Sequence, residues 1–129
     1  MKELKNEFFA FLDNARQNAL EEAETLTKDD RKDEGNILKA KANIYDIFKA
    51  IWKAADGMAD DKESFCEAFR KKAEMIPSAW VTSLEKAKEH NDTHKILIEE
   101  AKLSAVSEIK DKFNSLFAWE HAKLRNKCK

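Results

Sequence analysis

The sequence from Asn36 to Asp56 is NILKAKANIYDIFKAIWKAAD. If this segment is helical, its large apolar side chains cover well over half of the helix circumference. A helix that is apolar on most sides is stable only when neighbours cover it. The pattern therefore predicts that residues 36–56 form the most buried helix of a helical bundle.

The segment before this helix has the periodicity of a second one. Between residues 3 and 27, apolar side chains recur at steps of three and four and gather on one stripe. Seven consecutive charged residues, 28–34, follow, and then Gly35. Such a charged run is typical of solvated chain. We therefore expect residues 28–35 to form an exposed corner between the two helices of a hairpin.

The segment after the central helix carries signals for a helix end and a new helix start. Gly57 favours a left-handed residue that ends the helix. Asp60 and Glu63 are three residues apart, the spacing of a capping box. The sequence thus predicts that the central helix ends near Gly57 and that a third helix runs from this pair to about Ile76.

Pro77 divides the second half of the chain. Proline lacks a backbone N–H and restricts the residue before it, so a helix ends or kinks there. We expect a break, followed by a short helix to about His90. Residues 91–93 then offer an N-cap for a last helix, predicted to run from Thr93 to about Lys127.

The composition favours an all-α protein. The chain has 129 residues, of which 43% are hydrophobic, and it contains only 2 Gly and 1 Pro. Sheet proteins need more turn residues and more β-branched residues than this. We expect one domain over residues 1–129, an antiparallel, up-and-down bundle of about four helices, with three long helices and one short helix after Pro77. Residues 121–129 are expected to form a frayed basic tail.

Charge and cysteine content limit the partners and the compartment. The 24 basic and 25 acidic residues nearly cancel, so no overall positive field favours nucleic acid. No run approaches the roughly 20 apolar residues that cross a bilayer, so we expect no membrane segment. Cys66 and Cys128 are too few for a disulfide scaffold. We therefore predict that both cysteines are free thiols and that the protein is cytoplasmic.

No arrangement of residues predicts catalysis, a cofactor or a metal. None of the three histidines has a Glu three residues before it, as a di-iron bundle site requires. His90 and His94 are four apart, but the expected helix break between them separates their rings. Gly35 and Gly57 are too distant to form a phosphate-binding loop. Cys66, on a predicted core edge, is expected to be a packed thiol. The prediction is a protein that is not an enzyme.

Two groups of large apolar residues are expected at an interface. Phe8, Phe9 and Phe11 cannot all face one neighbour, because adjacent residues on a helix point about 100° apart. A last helix roughly 52 Å long would overshoot its partners, which places Trp119 and Leu124 on its overhang. In an up-and-down bundle of four helices both groups lie at one end. We therefore predict an interaction or assembly module that forms a homodimer, or binds another protein, through these residues.

The alternative hypothesis is a regulator that binds a small apolar ligand. Aromatic side chains on facing helices can line a pocket between them. Trp52 and Phe113 are the residues predicted for the walls of such a pocket.

Overall fold

The computed structural model describes residues 2–118, which form five α-helices and no strand. They are α1 (Lys2–Lys28), α2 (Lys32–Met58), α3 (Lys62–Met75), α4 (Ser78–Glu89) and α5 (Thr93–Leu116). The predicted all-helical bundle is thus confirmed. None of the described helices is long and apolar enough to cross a membrane.

Helices α1 and α2 form a hairpin whose side-chain contacts extend along most of its length. About half-way along the hairpin, Arg16 Nε lies 2.9 Å from Asp46 Oδ2. Farther from the turn, the Phe8 ring stacks on Trp52 with the centroids 5.0 Å apart. Residue numbers therefore fall along α1 as they rise along α2, and the two helices run in opposite directions.

The core lies where α1, α2, α3 and α5 meet, and Trp52 of α2 is at its centre. The Trp52 side chain has no exposed surface. Its ring contacts six phenylalanine rings, with centroid distances between 4.6 Å and 6.2 Å. These rings belong to Phe8, Phe9, Phe65, Phe69, Phe113 and Phe117. Helix α2 also has more fully buried residues than any other described helix, which confirms its predicted role.

The charged corner is shorter than predicted. Helix α2 begins at Lys32, so the expectation that residues 28–35 are all solvated loop is wrong. Asp33 and Glu34 lie in the first turn, where negative charge is favourable beside the positive end of the helix dipole. Gly35 is buried against α1: a Cβ there would lie 2.7 Å from Thr27 Oγ1 and 3.0 Å from the Ala23 carbonyl oxygen. Its role is close helix packing.

The left-handed ending predicted at Gly57 is also wrong. No glycine among the described residues has a positive φ, and α2 continues through Gly57 to Met58. Ala59, in extended conformation, ends the helix instead. Helix α3 is then capped by Asp61, one residue after the predicted position. The Asp61 side chain accepts a hydrogen bond from the backbone N–H of Ser64 at 2.8 Å.

The breaks around α4 are confirmed. Helix α3 ends at Met75 and α4 begins at Ser78, with Pro77 between them. Asp92 is the N-cap of α5, and its side chain accepts a hydrogen bond from the backbone N–H of Lys95.

The predicted last helix is too long. Helix α5 ends at Leu116, so a continuous helix to Lys127 is wrong, and the overhang inferred from its length does not follow. Phe117 leaves helical geometry, with φ −107° and ψ 23°, and its buried ring packs 5.8 Å from that of Phe65. Burial of this ring in the core accompanies the end of the helix. Trp119 and Leu124 lie outside the described residues.

Candidate functional site

Phe8 does not belong to an exposed surface, which corrects one part of the interface prediction. Its side chain is completely buried. It stacks on Trp52 and meets the edges of Phe69 and Phe113 at centroid distances of 5.7 Å and 6.0 Å. The physical reason is that α1 has α2 and the aromatic residues of α3 and α5 around this position. Phe8 is therefore a core residue.

Phe9 and Phe11 are half-buried, and lysines of this chain lie over their rings. The Nζ atoms of Lys5 and Lys49 are 5.4 Å and 5.1 Å from the Phe9 ring centroid. Lys112 Nζ is 5.9 Å from the centroid of Phe11. Cation–π contacts of this kind stabilise exposed rings by about 0.5–1 kcal/mol. The two rings are thus partly covered within one chain.

The two residues predicted to line a ligand pocket pack directly together. Trp52 and Phe113 are almost completely buried, and their ring centroids are 6.2 Å apart. Phe69 stacks on Phe113 at 3.9 Å, with the two planes inclined by 6°. Aromatic rings therefore fill the space in which the ligand was predicted. The pocket between Trp52 and Phe113 is not present, although each residue also borders a cleft open to the surface.

A polar contact joins α2 to α5 away from the aromatic core. The buried Tyr45 hydroxyl donates a hydrogen bond to Glu108 Oε2 at 2.8 Å. Lys41 Nζ lies 3.6 Å from the other carboxylate oxygen of Glu108. Burial, reinforced by the adjacent carboxylate, raises the pKa of Tyr45 far above its ordinary value. A tyrosine held protonated in this way acts as a structural donor and is a poor general base.

The groups with nucleophilic or metal-binding chemistry are dispersed. Cys66 is a buried cysteine on α3. His90 ends α4, and His94 lies in the first turn of α5. Within residues 2–118, no three His, Cys, Asp or Glu side chains are grouped as a metal ion would require.

Helix α4 is the least buried helix. It packs mainly on α5 and touches α3, and Ala87 is its only fully buried residue. Part of its contact with α5 is polar. Glu99 of α5 is 5% exposed and pairs with Lys102 at 3.3 Å. Lys102 Nζ in turn lies 5.8 Å from the ring centroid of Trp80 on α4. Because few helices pack against α4, apolar residues on it and beside it remain exposed.

The candidate functional site consists of three exposed apolar residues around Pro77. Met75 is 61% exposed, Ile76 39% and Val81 43%. All three lie within about one helical turn of Pro77 along the chain. We call these three residues the Pro77 surface. The sequence prediction missed it, although one signal was present: Trp80 and Val81 are adjacent, so only one of them can point directly at α5.

The sequence matches no protein-family model, and neither a curated protein nor a solved structure matches it.

Proposed function

We propose that the protein is a non-enzymatic helical interaction module that self-associates, and that the Pro77 surface is where a second copy docks. The observation that supports this function is the exposure of Met75, Ile76 and Val81 in one short segment. Exposed apolar residues that lie close together mark interaction sites on soluble proteins, and these three are within seven residues of one another in the chain. Because the three side chains are 39–61% exposed, covering each one gains only part of the free energy of complete burial, which is about 1.5–3 kcal/mol for a Val, Ile or Met side chain.

The charges of α4 support a second copy as the partner. Glu85 and Glu89 are balanced on this helix by Lys86 and Lys88, so two α4 helices do not repel each other through net charge. A two-fold axis places the same patch of both copies in contact. An apolar patch is complementary to itself, and two antiparallel copies of α4 can bring acidic and basic residues together at its rim.

The test is the absolute mass in solution, measured by size-exclusion chromatography with multi-angle light scattering. The chain is loaded with reductant over a hundredfold range of concentration, so that disulfides between chains do not contribute. We expect the wild type to shift from monomer to dimer. Val81→Glu should remain monomeric, because dimerisation would bury an unpaired carboxylate. Met58→Glu is the matched control and should dimerise normally, since Met58 is exposed at the end of α2, before α3 begins, whereas the Pro77 surface lies at and after the end of α3.

Two outcomes would overturn the proposal. One is a strict monomer at every concentration. The other is a wild-type dimer that persists in Val81→Glu while that variant keeps its helical circular dichroism. If Trp119→Glu abolishes that dimer, the interface is the one first predicted from the sequence.

A further inference from the structure

A cleft beside α3 has the features of a ligand site. It lies between α3 and α5 and has a volume of about 250 Å³. Charged and polar residues border it, and two phenylalanines lie at its floor. The principal lining residues are Arg70, Glu74, Lys110, Asn114, Phe69 and Phe113.

Arg70 is held in place but is incompletely paired. Its guanidinium carbon lies 5.7 Å from the ring centroid of Phe113, which is itself stacked on Phe69. Arg70 Nη2 is buried and donates to no acceptor. Glu74 is four residues further along the same helix, but no salt bridge to Arg70 forms among the described residues. Arg70 as a whole is only half-buried and lines the cleft, so its positive charge, which no carboxylate of the described residues pairs with, is presented to a ligand there.

The other lining groups restrict the chemistry of the ligand. Lys110 adds a second positive charge, Asn114 adds an amide, and Glu74 is the one carboxylate among the lining residues. A guanidinium pairs well with the two oxygens of a carboxylate. The nearby Glu74 disfavours anions of higher charge, such as phosphate. The volume is below the usual range of drug-sized sites, about 300–1,000 Å³, so the ligand is small.

We propose that this cleft binds a small organic monocarboxylate. Its carboxylate accepts hydrogen bonds from Arg70 with support from Lys110. Its apolar body lies toward Phe69, Phe113 and Ala73. None of the three residues of the Pro77 surface lines this cleft, and the proposal does not depend on self-association.

The experiment is a titration of the full-length, ¹⁵N-labelled chain followed by two-dimensional NMR. The probe is phenylacetate, and the matched control ligand is its neutral isostere phenylacetamide. We expect phenylacetate to shift amide signals in residues 70–74 and 110–114 and the side-chain amide of Asn114. The amide ligand should bind at least about tenfold more weakly, because it lacks the charge that Arg70 recognises.

Three variants localise the binding. Arg70→Met keeps an unbranched stem beside Phe113 but removes the donors, so it should remain folded and bind phenylacetate about tenfold more weakly. Lys110→Met should also weaken binding, and it tests the same cleft if Arg70→Met does not fold. Lys71→Met, which removes a neighbouring exposed charge on α3, should bind like the wild type.

The proposal is wrong if phenylacetate causes no shifts up to about 20 mM, a range that includes weak fragment binding. It is also wrong if both ligands bind equally, if the shifts lie elsewhere, or if folded Arg70→Met and Lys110→Met bind like the wild type. If inorganic sulfate binds equally well and with the same dependence on Arg70, the cleft binds anions in general, and its assignment to monocarboxylates is wrong.

Discussion

The hairpins α1–α2 and α4–α5 close with the same turn but are buried to very different extents. In the first, Asp30 has φ 63° and the Arg31 N–H donates to the carbonyl of Leu26. In the second, Asn91 has φ 54° and the N–H of Asp92 donates to the carbonyl of Ala87. Both are Schellman endings with Asp or Asn in place of the usual glycine. A shared local turn therefore does not determine how deeply a hairpin is packed.

The same contrast is seen where large apolar residues follow one another. At the start of α1, Phe8 is buried and Phe9 is partly covered by two lysines. At the start of α5, residues 96–98 are Ile-Leu-Ile, and Leu97 is 47% exposed. Helix α1 contacts α2 and α5, and α5 contacts α1, α2 and α4. The number of neighbouring helices alone therefore does not determine which residue of an apolar run is exposed.

The largest expected effect is in the first hairpin. Phe8→Ala removes a ring that contacts three other aromatic rings in the core. We expect a loss of about 3–5 kcal/mol in the free energy of unfolding, because a cavity remains. Leu97→Ala, in the second hairpin, should cost less than about 1 kcal/mol. Urea denaturation followed by circular dichroism measures both, and equal losses would contradict the contrast.

The next effect tests the close packing of α1 against α2. Gly35→Ala places a Cβ at 2.7 Å from Thr27 Oγ1 and 3.0 Å from the Ala23 carbonyl, so the helices must separate slightly. We expect a loss of about 1–3 kcal/mol. Gly57→Ala is the matched control, because nothing lies within 4 Å of its added Cβ. It should stabilise by up to about 1 kcal/mol through helix propensity. If Gly35→Ala leaves the free energy of unfolding unchanged or raises it, α1 and α2 are not closely packed at Gly35.

Local features of the fold could be predicted from the sequence, whereas features set by distant neighbours could not. The Pro77 break and the Asp92 cap depend on residues adjacent in the chain, and both are confirmed. Gly35 is buried because α1 packs against it. The charged residues that precede Gly35 in the chain predicted instead that it is exposed. The end of α5 at Leu116 accompanies the packing of Phe117 into the core. The composition of the Pro77 surface likewise depends on α4 having few neighbours, which local periodicity does not encode.

A smaller, pH-dependent effect concerns the contact between α2 and α5. The raised pKa of Tyr45 means that the folded chain keeps this proton while the unfolded chain releases it near pH 10. Below about pH 10, the full contribution of Tyr45 to the free energy of unfolding is present. Above that pH the contribution decreases by about 1.4 kcal/mol per pH unit. Phenylalanine at position 45 has no proton to release. The free energy of unfolding of Tyr45→Phe should therefore be lower than that of the wild type at neutral pH, and this difference should shrink as the pH rises above about 10. Lysine titration is common to both chains.

Urea denaturation at neutral pH and at about pH 11 measures this difference. Because Tyr45 is the chain's only tyrosine, tyrosinate absorbance reports on it alone. A deficit that does not change with pH, or tyrosinate forming near pH 10 in the folded protein, would contradict the buried hydrogen bond to Glu108.

The smallest effect concerns how each hairpin begins its second helix. Asp92 caps α5 through a side-chain hydrogen bond, whereas Arg31 gives α2 no side-chain cap. Asp92→Ala should therefore cost about 1 kcal/mol and speed hydrogen exchange in the first turns of α5. Asp33→Ala, in the uncapped first turn of α2, should cost only a few tenths of a kcal/mol through the helix dipole. Native-state hydrogen exchange separates the two cases, because the first turns of α5 are largely exposed and can open without disturbing the aromatic core. If Asp92→Ala leaves exchange in α5 unchanged, packing against α4 and α2, and not the cap, holds the start of that helix.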